Sequence, residues 1–236
     1  MTPNDIRHTE INTEAGDPML LSPGAAHAML AGTPWRRFAV IGDSIAAGTG
    51  DPWPGYADVP WADRLAATLT AVHPDLAYIN TGKIGATIGQ VHDEQLRAVL
   101  DFGTDLVHVS CGGNDLFLHD ADLLEVERGL DELCAAATAD GARLSMFTLA
   151  DAFTGRLRPF RPRFVEYAAI VRRVAARHDA ILTELWDHPA RLRRNWLSAD
   201  HIHLTMAGHA VVATEVTRSL SRFHCPESDK VPSPAS

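Results

Sequence analysis

Short apolar runs alternate along this chain with longer stretches in which apolar residues recur every three or four positions. Runs of the first kind predict buried strands, and stretches of the second kind predict helices with one apolar face. Five strands are expected, over 38–41, 76–79, 105–110, 144–149 and 180–185. Helices are expected over 60–72, 90–100, 120–140, 164–177 and 205–220. In the first of them Trp61, Leu65, Leu69 and Val72 share a face behind Pro60, and Gly141 is a stop for the third. Strands separated by helices imply right-handed crossovers, hence an α/β fold with a five-stranded parallel sheet and helices on both faces. Residues 1–34 are polar and carry Gly and Pro, so they read as a partly ordered N-terminal arm. Leu20, Leu21, Met29 and Leu30 are available to dock it. One domain spans 35–225, and the Pro/Ser-rich residues 226–236 are expected to be disordered. No internal repeat or second domain is visible.

Composition narrows the class. With 236 residues, 46% of them hydrophobic and 22% charged, the chain can build a core without disulfide or metal staples. A net charge of -9 argues against a nucleic-acid partner, because phosphate contacts supply most of such a protein's affinity. Cys111, Cys134 and Cys225 form no C-x-x-C pair and imply no disulfide framework, which suits a reducing compartment. The N-terminus lacks a basic start followed by an apolar stretch, and no run of about 18 apolar residues occurs. A cytoplasmic location without stable membrane insertion is therefore expected. Oligomeric state is left open.

In a parallel α/β sheet the ligand site lies at the carboxyl ends of the strands, and the chemistry-bearing residues of this sequence follow strands. The first strand runs into Gly42-Asp43-Ser44, where a serine can present its hydroxyl at the sheet edge or simply cap the next turn. The second runs into Asn80-Thr-Gly-Lys-Ile-Gly85, whose glycines can turn N–H groups towards a ligand or serve turn geometry alone. The third ends in Gly112-Gly113-Asn114-Asp115, with an amide donor that also suits an Asx turn. Near the end stands Asp200-His-Ile-His203, a spacing that lets the carboxylate reach the imidazole of its own segment. Asp200, His201, His203 and His209 are also metal-ligand types, though they match no known ligand spacing.

These four blocks, in this order, resemble the SGNH hydrolases, also called the GDSL esterase/lipase family, with Ile45 where that family usually has Leu. The resemblance spans residues 37 to about 220. It implies a flavodoxin-like three-layer α/β/α fold and a serine esterase acting on a carboxylic ester or thioester through an acyl-enzyme. It further implies Ser44 as nucleophile, His203 as general base and Asp200 as its orienting partner. The oxyanion hole would be the N–H of Ser44, the N–H of Gly85 and the side-chain amide of Asn114. No metal or organic cofactor is implied, and the partner is a small-molecule acyl ester.

Three further readings bear on specificity. Trp53 and Tyr56 lie in the loop after Ser44 and are candidates to line a substrate pocket, whereas Trp61 belongs to its helix. Arg156, Arg158, Arg161 and Arg163, with Arg191, Arg193 and Arg194, suit either an anionic substrate or a solvated basic loop. Cys111 reads as a small core residue. An acyltransferase or a sugar-ester deacetylase would use the same residues, and a non-catalytic binding protein could share the scaffold.

Overall fold

In the computed structural model, which describes residues 13–224, five parallel strands form one sheet. They are β1 (Arg37–Gly42), β2 (Ala77–Asn80), β3 (Leu106–Ser110), β4 (Arg143–Phe147) and β5 (Ile181–Thr183), in the order β2-β1-β3-β4-β5. The helices are α1 (Pro23–Leu30), α2 (Trp61–Val72), α3 (Ile88–Glu94), α4 (Leu96–Phe102), α5 (Leu123–Ala137), α6 (Arg161–Arg177) and α7 (Met206–His224). Strand pleat divides the core into two layers. Phe38 and Val40 of β1 pack with Trp61, Leu65 and Leu69 of α2 and with Val216 and Leu220 of α7 on one face. Ala39 and Ile41 pack with Val107, Val109, Leu130, Leu133 and Val171 on the other. The three-layer α/β/α architecture expected from the sequence is the one observed.

Several boundaries differ from the sequence reading, each for a local reason. The helix expected over 90–100 is split at Gln95, whose backbone leaves the helical path (φ −116°, ψ −34°) as its buried side chain turns to β1. Helix α5 ends at Ala137, where the Thr138 hydroxyl donates back to the Cys134 carbonyl. Helix α6 begins at Arg161, with Pro162 in the first turn, where no N–H is needed. Strand β5 stops at Thr183, and just beyond it the N–H groups of Leu185 and Trp186 donate to Thr148 Oγ1.

The region read as an arm contains α1, capped by Ser22 and anchored by the fully buried Leu30. Asp17 reaches Arg193 through two hydrogen bonds of 2.7 and 2.9 Å and accepts the Tyr56 hydroxyl at 2.8 Å. Glu14 accepts from Arg64 and from the Ala57 N–H. Residues 1–12 of that region, Cys225 and the tail over 226–236 lie outside the described residues. No helix among the described residues is long and apolar enough to cross a membrane.

Candidate active site

Strand order reverses between β1 and β3, which go on to neighbours on opposite sides, and this crevice is where doubly wound sheets bind ligands. Gly42 ends β1 beside Ser110 of β3, so close that a Cβ on Gly42 would lie 1.9 Å from the Ser110 carbonyl oxygen. Its φ of +148° adds a second reason for glycine. Gln95 clamps both sides of this residue: Oε1 accepts the Gly42 N–H at 2.9 Å and Nε2 donates to its carbonyl at 2.8 Å. The Asp43 N–H then donates to Ser110 O, and Asp43 Oδ1 accepts the Ile45 N–H, so the chain turns and presents Ser44. Asn80 holds the far side of this turn through Ala46 O at 2.8 Å.

The His203 loop is fastened to the same turn. Asp51, just downstream of Ser44, donates its N–H to Ser198 Oγ, accepts from the Ala199 N–H, and receives the Met206 N–H at its carbonyl. Gly50 passes so near that a Cβ would sit 2.0 Å from Leu204 O. His209 of α7 accepts the Trp61 N–H and donates to Thr49 O, and the Trp61 indole donates to Ile45 O. These ties set the histidine against the serine: His203 Nε2 is 2.8 Å from Ser44 Oγ and Nδ1 is 2.5 Å from Asp200 Oδ2. Partner chemistry assigns the tautomer, with Nδ1–H donating to the carboxylate and Nε2 accepting from the hydroxyl.

Electrostatics follow from burial and partners. Burial alone would raise the Asp200 carboxyl, but the Ile202 N–H, the His203 ring and the His203 N–H outweigh it and hold the group below the usual range. Asp43 is the opposite case: burial pushes it up to about 7, against the pull of the Ile45 N–H and of His203. Burial also drives His209 down to about 4, so it is a neutral bridge at neutral pH.

Asn114 joins the site from the end of β3. Its Nδ2 donates to Ala86 O at 3.0 Å, and the neighbouring Asp115 carboxylate accepts the Ile88 N–H, so this turn grips the loop that carries Gly85. The second N–H of the Asn114 amide can still donate elsewhere. Gly85 has φ +79°. Neither its N–H nor that of Ser44 has a partner among the described residues, whereas the Gly82 N–H is taken by Asn80 Oδ1. A cavity of about 90 Å³ opens beside Ser44 and Asn114.

Other sequence candidates lie elsewhere. Tyr56 is buried against Met206, Ala207 and Ala210 with its hydroxyl on Asp17, and Trp53 packs on the same cluster. Neither lines the cavity by Ser44, because the loop over 51–60 folds onto the start of α7. Arg161 is held by Asp151, Arg163 by the Leu116 and Leu118 carbonyls, and Arg193 by Asp17. The histidines do not converge as ligands: no group of three or more His, Cys, Asp or Glu among the described residues is placed to hold a metal ion. Cys111 and Cys134 are buried and unbonded. Sequence reasoning passed over Gln95 and Asp51. A polar residue in an apolar helix stripe was the available signal for Gln95, while Asp51 offered none.

No curated protein matches the chain. An alpha/beta hydrolase enzyme from the metagenome of Lake Arreo, Spain, is 26% identical with a TM-score of 0.66, over 80% of this chain and 95% of that one. A lipase/acylhydrolase from Enterococcus faecalis shares 23% identity at a TM-score of 0.65, over 80% and 96%. An acetylxylan esterase from Geobacillus stearothermophilus shares 20% at 0.60, over 80% and 94%. Residues 40–211 match the GDSL-like lipase/acylhydrolase family, and the chain, an ester-hydrolysing enzyme, belongs to that family.

Proposed function

We propose that the protein is a serine esterase that cleaves a carboxylic ester or thioester through an acyl-enzyme on Ser44. The observation that carries this reading is the continuous relay from Asp200 Oδ2 through His203 to Ser44 Oγ, at 2.5 and 2.8 Å. A serine hydroxyl is a weak nucleophile until a base takes its proton, and His203 Nε2 is in reach to do so. Asp200 keeps the ring oriented and stabilises the imidazolium that forms. As Ser44 Oγ bonds to the acyl carbon, the carbonyl oxygen becomes an oxyanion. The Ser44 N–H, the Gly85 N–H and the Asn114 amide are its donors in this reading. His203 returns the proton to the leaving oxygen or sulfur, and water repeats the sequence to release the acid. These steps call on no cofactor. In the Geobacillus stearothermophilus esterase, catalytic mutants replace an aspartate, a histidine and a serine, the same three residue types.

The test is labelling of Ser44 by a fluorophosphonate, alongside hydrolysis of p-nitrophenyl butyrate with chelator present. Wild type is expected to label and turn over, and Ser44→Ala to do neither, with a loss of order a million-fold. Retention of activity by a folded Ser44→Ala protein refutes the mechanism.

A further inference from the structure

The backbone N–H groups of the turn from Asp43 to Thr49 are almost all spoken for. Asp43 donates to Ser110 O, Ala47 to Asp43 O, Gly48 to Ile45 O and Thr49 to Ser44 O. The Ile45 N–H donates to Asp43 Oδ1 at 2.9 Å, and the Ala46 N–H is directed at the same carboxylate. The Ser44 N–H is the one left over among the described residues. Buried N–H groups are nearly always paired, so one left unspent beside a nucleophile needs the rest of its turn held around it. Asp43 does the holding: its side chain and its carbonyl collect the three N–H groups that follow Ser44.

The carboxylate also abuts the second strand end of the site. It is buried, and a Cβ on Gly113, the residue before Asn114, would sit 3.8 Å from Asp43 Oδ2. The groups that face it come from three sides. His203 favours its charge and Asp115 opposes it, while Cys111 and Tyr167 are kept neutral by burial, and His201 lines the same cavity. Burial outweighs the rest and sets its ionisation at about 7. The two forms do not grip the turn equally, because a hydrogen bond to a carboxylate is about twice as strong as one to a neutral acceptor.

We infer that Asp43 is a positioning residue of the oxyanion hole: its carboxylate holds the turn so that the Ser44 N–H is free to meet the oxyanion, and a proton on Asp43 loosens that hold. The inference rests on Ser44 being the nucleophile. It adds to the site a second acidic side chain whose charge state regulates a donor, whereas Asp200 serves the base.

The experiment compares kcat/KM for p-nitrophenyl butyrate with that for its thionoester, in which sulfur replaces the carbonyl oxygen, from about pH 5.5 to about 9. Sulfur is a poor acceptor, so the ester-to-thionoester ratio reads the oxyanion donors. Protonation of His203 slows both substrates alike and cancels in the ratio. Deleting a donor costs about 100- to 1000-fold, and misaiming one costs less. The wild-type ratio is therefore expected to fall about tenfold as pH drops through about 7. Asp43→Asn, of the same shape and neutral at every pH, is expected to keep the low ratio throughout, with KM little changed. Asp115→Asn is expected to leave the titration in place. Thermal melts check that both variants fold, and if Asp43→Asn does not, the wild-type and Asp115→Asn profiles decide. A wild-type ratio that does not change with pH overturns the inference. So does a folded Asp43→Asn that keeps the high ratio or still titrates, or a titration that Asp115→Asn abolishes. If Ser44 still labels with a fluorophosphonate in those cases, the serine mechanism stands and only the role of Asp43 falls. A wild-type protein that takes no label overturns both.

Discussion

Asp17→Ala is the sharpest test of how the N-terminal segment contributes to the fold. The Asp17 side chain is fully buried and that of Arg193 is only 9% exposed, so the pair is screened little by solvent. Removing one member of a buried pair leaves the other charge uncompensated, at a cost of about 3–5 kcal/mol. Here the cost sits at the upper end, because Tyr56 loses its acceptor as well and Arg193 Nε is already buried without a partner. For a domain of this size about 2–4 °C of Tm accompanies each kcal/mol, so a drop of about 10–20 °C is expected at neutral pH. Circular dichroism melts measure it directly.

Two controls make the reasoning refutable. Burial would raise the Asp17 carboxyl, but the hydrogen bonds from Arg193, Met19 and Tyr56 hold it below its ordinary value. Its contribution is therefore complete above the unfolded-state value near 4 and fades as pH falls through the lower folded-state value. The Tm gap between wild type and Asp17→Ala should close in that acid range. Replacing both charges, as Asp17→Leu with Arg193→Met, removes the desolvation cost together with the attraction and should recover much of the loss. A single-variant shift below about 2 °C, or a double variant as unstable as the sum of the singles, refutes the account.

Other expectations follow from the site and core. Asn114→Ala should lower kcat by about 100- to 1000-fold with KM little changed, because the donor acts on charge that develops only in the transition state; a change confined to KM counts against its role. Gln95→Leu leaves both the N–H and the carbonyl of Gly42 without their side-chain partner, and should cost about 2–4 kcal/mol in urea denaturation. The folded fraction should also label more slowly at Ser44, and wild-type labelling would show that the clamp does not position the nucleophile. Stability should rise as pH rises from about 4 to 6.5. Burial holds His108 near 3 and His209 near 4, so below 6.5 the unfolded chain binds two protons that the folded one refuses. Asp43, raised to about 7, opposes them with one proton in the same window. A urea midpoint that stays constant over that range contradicts the assignment.

Much of this architecture was legible because parallel strands buried on both faces leave apolar runs: 38–41 is a continuous one, and 106–110 is buried throughout although it carries His108 and Ser110. Ser44, Asn114, Asp200 and His203 were singled out for a different reason: each block alone suits a turn or a cap as well as a site, but the four blocks in this order resemble the GDSL esterase/lipase family. What stayed hidden was decided by partners remote in sequence. Tyr56 looked like a pocket aromatic because nothing local announces Asp17, 39 residues away, as its acceptor. The break at Gln95 was invisible to periodicity because its cause is a hydrogen bond to Gly42, 53 residues away. The arginines near 156–163 suited either an anionic substrate or a solvated basic loop, and Arg161 and Arg163 are spent on Asp151 and on loop carbonyls.

The pieces of the site differ in how firmly they are held, and that difference bears on where activity can be tuned. Ser44 and Asn114 follow neighbouring strands whose register pairs Gly42 with Ser110, so the sheet ladder itself sets their separation. His203 has no such support. It stands in a loop that includes an exposed Asp200 and a non-glycine residue, His201, at φ +62°. Its position relative to Ser44 comes through Asp51, through His209 with Trp61, and through Arg193, which Asp17 secures upstream. A change at any of these anchors should displace His203 and leave Ser44 and Asn114 in place, which in the proposed mechanism moves the base and spares the oxyanion donors. Proton transfer depends steeply on the 2.8 Å contact between Nε2 and Oγ, so such changes should act on kcat.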